Sequence, residues 1–226
     1  MHGLILLIAL AAPTEPSAPA PIPFPHPVIT ELLFAVPAGL DADPNRDGVS
    51  DAVSDEFVEV LNPHDEPIEL RGYAVVDALG LENPRDPRAV VWVFPALRLG
   101  PGERAVVFNG RAPGGGPHWG GADKPGHEPH PDFAGAWVFS MGNTSRSAAF
   151  GNAKDLCALR APDGALVDVL AWGGAEKGEG VAAAVSAALR VESVKASPRC
   201  SVERRDAHSP AVERLKIDGR LFSPGE

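Results

Sequence analysis

Nine short runs rich in β-branched and aromatic residues, each closed by a turn signal, constrain this chain more than any other feature. They cover residues 28–34, 56–61, 73–76, 90–94, 104–108, 137–140, 156–160, 166–172 and 200–204. Runs this short with alternating apolar positions read as strands, not helices. Asn62-Pro63, Arg71-Gly72, Leu99-Gly100-Pro101-Gly102 and Asn109-Gly110 stand between them, pairing residues that fix or free the backbone where it must reverse. The clearest hairpin is 156–172, where Pro162-Asp163-Gly164 turns the chain. Val167, Val169 and Ala171 are expected on one face of its second strand, opposite Asp168. The 24 Gly and 24 Pro fit many turns, and 44% hydrophobic residues are enough for a core. A length of 226 residues suits one domain. The predicted fold is therefore an all-β, antiparallel β-sandwich of two sheets.

Two stretches interrupt the rhythm. Residues 113–131 carry many Gly and Pro with His118, His127, His130 and Trp119, and read as a long surface loop. In 175–198, Val181, Val185 and Leu189 fall at i, i+4 and i+8, which predicts one short helix. Trp92, Trp137 and Trp172 lie in strands and are expected in the core; Trp119 is expected in the loop, where it can stack on a ligand.

The ends and the charge add to this. Residues 4–10 are apolar and are followed by Ala and Pro, which reads as a signal peptide over 1–20. A Pro-rich linker is expected over 21–27 and the domain over 28–226. No later segment is apolar enough to span a membrane. The formal net charge of −10 repels nucleic-acid backbones and suits divalent cations. Cys157 and Cys200 are the only cysteines. In an oxidising compartment they can be joined as a disulfide, or remain two buried thiols.

Five pieces in order carry a resemblance: Val28-Ile29-Thr30-Glu31-Leu32; Asp55-Glu56-Phe57-Val58-Glu59-Val60-Leu61-Asn62; Pro67-Ile68-Glu69-Leu70-Arg71-Gly72-Tyr73; Phe94-Pro95 with Leu99-Gly100-Pro101-Gly102-Glu103; and Cys200-Ser201-Val202-Glu203-Arg204 with Ser223-Pro224-Gly225. This set resembles the lamin tail domain, an immunoglobulin-like sandwich found at the end of nuclear lamins and in many exported bacterial proteins. The resemblance implies an immunoglobulin-like fold and an accessory module. Fold alone leaves the function open.

The sharpest chemical signal runs from Asp41 to Glu56. With Asp43 as position 1 of a calcium loop, Asn45, Asp47, the Val49 carbonyl and Asp51 fall at positions 3, 5, 7 and 9. Such a spacing turns hard oxygens toward one centre, and Gly48 permits the sharp bend. Position 12 is Ser54 rather than Glu, so Asp55 or Glu56 must supply the last ligand. The bland alternative is a solvated acidic turn.

A second candidate is the 118–132 loop, where three imidazoles with Asp123, Glu128 and Asp132 offer Zn²⁺ ligands for a small metal-dependent hydrolase. Its spacing fits no helix or strand motif, and a polar surface loop is the simpler reading. No Gly-x-Ser-x-Gly elbow or phosphate loop is present. Glu56 and Glu59 fall on opposite faces of one strand and cannot act as a pair. The sequence thus points to a secreted or cell-surface module, stabilised by Ca²⁺ and binding a protein or cell-surface component, rather than an enzyme.

Overall fold

Strand alternation sets the architecture. The computed structural model describes residues 19–39, 42–113, 116–195 and 199–226. The expected signal peptide lies almost wholly outside the described residues, as does Asp41. In chain order the strands are β1 (Val28–Leu33), β2 (Phe57–Leu61), β3 (Ile68–Glu69), β4 (Ala74–Val76), β5 (Val91–Val93), β6 (Arg98–Leu99) and β7 (Arg104–Phe108). They continue with β8 (Trp119–Gly120), β9 (Trp137–Ser140), β10 (Asp155–Arg160), β11 (Leu166–Trp172), β12 (Arg190–Ser193), β13 (Val202–Glu203) and β14 (Val212–Glu213). Each of the nine expected runs overlaps one of them, β10 starting one residue before its run.

One sheet has the order β14-β13-β1-β2-β7-β9-β8 and the other β12-β11-β10-β4-β5, with β3 and β6 as a separate ribbon. Val58 and Val60 from β2 and Val107 from β7 meet Trp92, Cys157, Leu159 and Trp172 of the opposite sheet in a shared core. Phe34 stacks on Trp172 at 3.7 Å between ring centres, and burying a side chain such as Phe34 contributes roughly 1.5–3 kcal/mol. Trp137 is only half-buried, and its Nε1 donates to Glu103. Ile22 belongs to the core cluster, and His26 hydrogen-bonds the Tyr73 hydroxyl at 2.7 Å, so part of the Pro-rich segment lies against the sandwich.

Three pairings are parallel: β7 with β9, β8 with β9, and β11 with β12. The two irregular stretches explain them. A parallel pair needs a long crossover, and the insertions around 113–131 and 175–198 bring the chain back to the same end of its sheet. The second crossover carries helix α2 (Ala182–Ser186). Val181 and Val185 pack with Val169 and Ala171 against the outer face of β11. Leu189 remains exposed because the helix has ended before it. A helix not foreseen, α1 (Ala78–Glu82), starts where Asp77 accepts a hydrogen bond from Gly80 N. Val167 also departs from expectation. The pairing shifts from Leu159↔Asp168 to Arg160↔Leu166, so Val167 is the extra residue of a bulge. It joins the inter-sheet core instead of the face of Val169 and Ala171.

Of the two states the sequence left open for the cysteines, the structure has the unbridged one: Cys157 and Cys200 are both free and buried. Cys157 sits between the sheets, while Cys200 lies beside the backbone of Arg214 and Leu215. Burial raises both thiols, Cys157 strongly.

Two buried polar systems close the domain. Asp168 on β11 accepts from Arg190, from Arg204 and from Ile29 N at 2.9 Å, tying the two sheets together. Burial pushes its carboxyl up, but Arg204 and Arg190 hold it below the usual range. On the other face of the seven-stranded sheet, Glu203, Glu31 and Glu59 stand side by side on β13, β1 and β2. Residues near the C-terminal end of the sequence cover them: Ser223 N and Oγ donate to Glu31, and Gly225 N donates to Glu59 at 2.7 Å. Arg104 and Thr30 also donate to Glu59, Ser201 to Glu31, and Arg214 to Glu203.

Candidate functional site

The acidic loop joins β1 to β2, and its carboxylates organise its backbone. Asp43 accepts from Asp47 N at 3.1 Å and from Gly48 N at 2.7 Å. Asn45 Oδ1 accepts from Asp47 N, and Asp47 Oδ1 from Val49 N. Asp51 Oδ1 receives Val53 N and Ser54 N at 2.8 and 2.9 Å. These short-range bonds are the usual use of Asp and Asn in turns, and those from Ser54 and Val53 hold the Asp51 carboxyl low. Gly48 has φ +87 and Arg46 φ +61, so the bend falls where the sequence placed it and reaches one residue type that rarely tolerates it.

Asp55 differs from the rest. It is 0% exposed; its Oδ2 accepts from Asp51 N at 2.6 Å, and its Oδ1 has no hydrogen-bond partner. Burial pushes its carboxyl up to about 7, against the bond from Asp51, and the charges of Asp43, Asp47 and Asp51 add to the rise. The five acidic and amide side chains therefore share one loop with a buried oxygen left over. Yet among the described residues no three His, Cys, Asp or Glu side chains are gathered as they stand into a metal-holding group. The donor chemistry suits a hard cation, and binding one would require the carboxylates to turn from the backbone toward Asp55. The Val49 side chain is exposed, so only its carbonyl belongs in such a set.

Glu56, the other candidate for the last ligand, is already committed. Its Oε2 accepts from Phe150 N at 3.1 Å and Asn109 Nδ2 at 3.2 Å, and burial pushes it well above the usual range. It pins the end of the loop to the turn at Asn109-Gly110. Gly110 has no room for a Cβ because the Ser54 backbone lies against it. Glu59 faces the other side of β2, in the glutamate row, as the strand period requires.

The three histidines of the 118–132 loop do not share a centre. His118 and His130 approach with ring centres 5.1 Å apart, while His127 lines a different cleft, beside Lys124. His130 Nδ1 accepts from Asp132 N at 3.2 Å, which places its proton on Nε2 and leaves no lone pair for a metal. Burial, with His118 next, lowers its pKa. Ser140, near this loop, donates to Gly110 O at 2.6 Å and is part of the same turn.

A small cleft lies between the two loops. Asn45, Arg46, His118, Trp119, His130 and Phe133 are among its walls. No local sequence pattern announces it, because its two sides are about seventy residues apart.

A family model, the lamin tail domain, matches residues 38–174. Among curated proteins none matches the chain.

Proposed function

The chain belongs to the lamin tail domain family, and from that premise we propose an exported, cell-surface module with an adhesive or structural role, steadied by Ca²⁺ in the 43–55 loop. Its all-β, immunoglobulin-like sandwich presents loops on a fixed scaffold, an arrangement suited to recognition. The negative charge disfavours nucleic acid and leaves a protein or other cell-surface component as partner. No helix among the described residues is long and apolar enough to cross a membrane. Export rests on the apolar run at residues 4–10.

The observation that supports calcium is the buried, partnerless Oδ1 of Asp55 beside three further carboxylates. Asp43, Asn45, Asp47, Asp51 and Asp55 would hold the ion by side-chain oxygens and Val49 by its carbonyl. The bound charge would offset the burial, and after it the neighbouring charges, that hold the Asp55 carboxyl up. An ion that binds only the folded chain stabilises it by mass action, about 2.7 kcal/mol at a hundredfold excess over its Kd.

The test is a thermal melt in chelator, then in millimolar Ca²⁺, Mg²⁺ or Zn²⁺. A clear rise in Tm with Ca²⁺ alone is expected. No rise with any ion, or an equal rise with Zn²⁺, would reduce the loop to a self-bonded turn.

A further inference from the structure

Glu203, Glu31 and Glu59 lie buried side by side on β13, β1 and β2, under the segment 221–226. Carboxylates at neighbouring register positions repel one another unless protons or cations intervene. Arg214 meets Glu203, and Arg104 meets Glu59 at 3.0 Å. Glu31, between them, has no cation bonded to it among the described residues; its donors are Ser201 Oγ, Ser223 N and Ser223 Oγ. The other charges close by, Asp218, Arg220 and Glu226, pair with one another and with Arg214.

Ser223 Oγ is the informative atom. It lies 3.0 Å from Glu31 Oε2 and 3.4 Å from Glu203 Oε2, and a hydroxyl has one proton to give. With both acids ionised, one of them would face the lone pairs of that oxygen, and a buried acceptor would go unmatched. With a proton on Glu31 Oε2, that acid donates to Ser223 Oγ, the hydroxyl donates to Glu203, and the chain of bonds runs on to Arg214. The seated segment therefore fits one protonation state of the row. Its remaining holds include Ser201 N to Leu221 O at 2.8 Å and Gly225 N to Glu59 at 2.7 Å. Phe222, partly buried, packs on the outer apolar cluster that contains Phe108 and Phe133.

We propose that residues 221–226 form a proton-dependent latch, seated on β13, β1 and β2 while Glu31 keeps a proton and loosened when it ionises, with the rest of the sandwich still folded. Burial, with the charge of Glu59 next, raises Glu31 to about 8. The latch is thus fully seated below the ordinary glutamate range and loosens as pH climbs toward about 8. Loosening lifts Phe222 from the outer cluster, so apolar surface appears on the alkaline side.

Hydrogen exchange of the full chain in chelator, read by mass spectrometry and corrected for intrinsic rate, tests this from about pH 6 to about pH 9. Protection of a peptide spanning 221–226 is expected to fall at least about tenfold across that range, while β1 and β2 keep theirs. Glu31→Gln presents an amide that donates to Ser223 Oγ and accepts from Ser223 N without a proton to lose, and should keep the segment protected throughout. Should that variant fail to fold, Ser223→Ala carries the test. Without the shared hydroxyl, protection near the acid end should already drop toward the level of the unaltered chain at the alkaline end. Constant protection of 221–226, an equal fall in Glu31→Gln, unchanged protection in Ser223→Ala, or a fall shared by β1 and β2 would overturn the proposal.

Discussion

Glu31 and Asp55 are both carboxylates taken out of water beside β1 and β2, yet the chain completes one and leaves the other short. Glu31 receives hydroxyls from Ser201 and Ser223 and the Ser223 amide, and its neighbour Glu59 receives Thr30, Arg104 and the Gly225 amide. Asp55 receives one amide, and its second oxygen receives nothing. A buried acid whose donors all come from the chain is a structural joint. One that lacks them marks where something from outside belongs.

The largest effect is expected from breaking the completed set. Glu59→Ala strips Arg104, Thr30 and Gly225 N of their acceptor and should lower stability by about 3 kcal/mol in denaturant unfolding, toward the lower end for buried pairs because Arg104 is partly exposed. A loss below about 1 kcal/mol would mean the row is held by the covering residues alone. Next comes Gly225→Ala. Gly225 has φ +94, and a Cβ there would meet the Phe133 carbonyl. Loosening of this cover should cost about 1–3 kcal/mol, read in the same experiment, and an unchanged midpoint would show the segment to be dispensable.

The pH response sharpens the contrast. Burial, with the charge of Glu59 next, pushes Glu31 up to about 8; burial pushes Glu59 up to about 7, against the bonds from Thr30, Arg104 and Gly225. The folded state therefore holds protons that the unfolded chain, titrating near 4.5, has released. Their stabilisation is complete below that value and is lost as pH rises toward about 8. Melts across this window should show falling Tm, and Glu31→Gln should flatten the upper part. A slope unchanged by that substitution would place the titration elsewhere. Asp55 follows the same sign, with its window closing near 7. In chelator, Asp55→Asn should shift stability by no more than about 1 kcal/mol, yet remove any calcium-dependent rise in Tm. Retention of that rise in the variant would detach the ion from Asp55.

What could be read from the sequence divides along the same line. Strands of five or more residues announce themselves by alternation, as β2, β7 and β10 do. The acids at 43, 47, 51 and 55 and the amide at 45 are visible because a loop's own spacing sets them together. The bulge at Val167 is not, since one added residue leaves local composition unchanged while moving a side chain to the other face. Helix α1 offers only Ala78 and Leu81 at helical spacing and depends on the Asp77 cap. Strands β8 and β12 exist only because the insertions deliver them to a sheet edge. The glutamate row was hidden for a further reason: Glu31, Glu59 and Glu203 become neighbours through strand register, which no local window contains. The same holds for the cleft, and for the cysteines, whose burial sites are set by different parts of the fold.

The cover over the glutamate row has a consequence for assembly in time. Ser223 reaches Glu31 across 192 positions of sequence, so strand β1 waits for a segment far along the chain before its acid is fully satisfied. Such distant closure slows folding relative to local contacts. It also makes the docking of 223–225 a late step for the sandwich: until then Glu31 has only Ser201 as a donor, and Glu59 only Thr30 and Arg104.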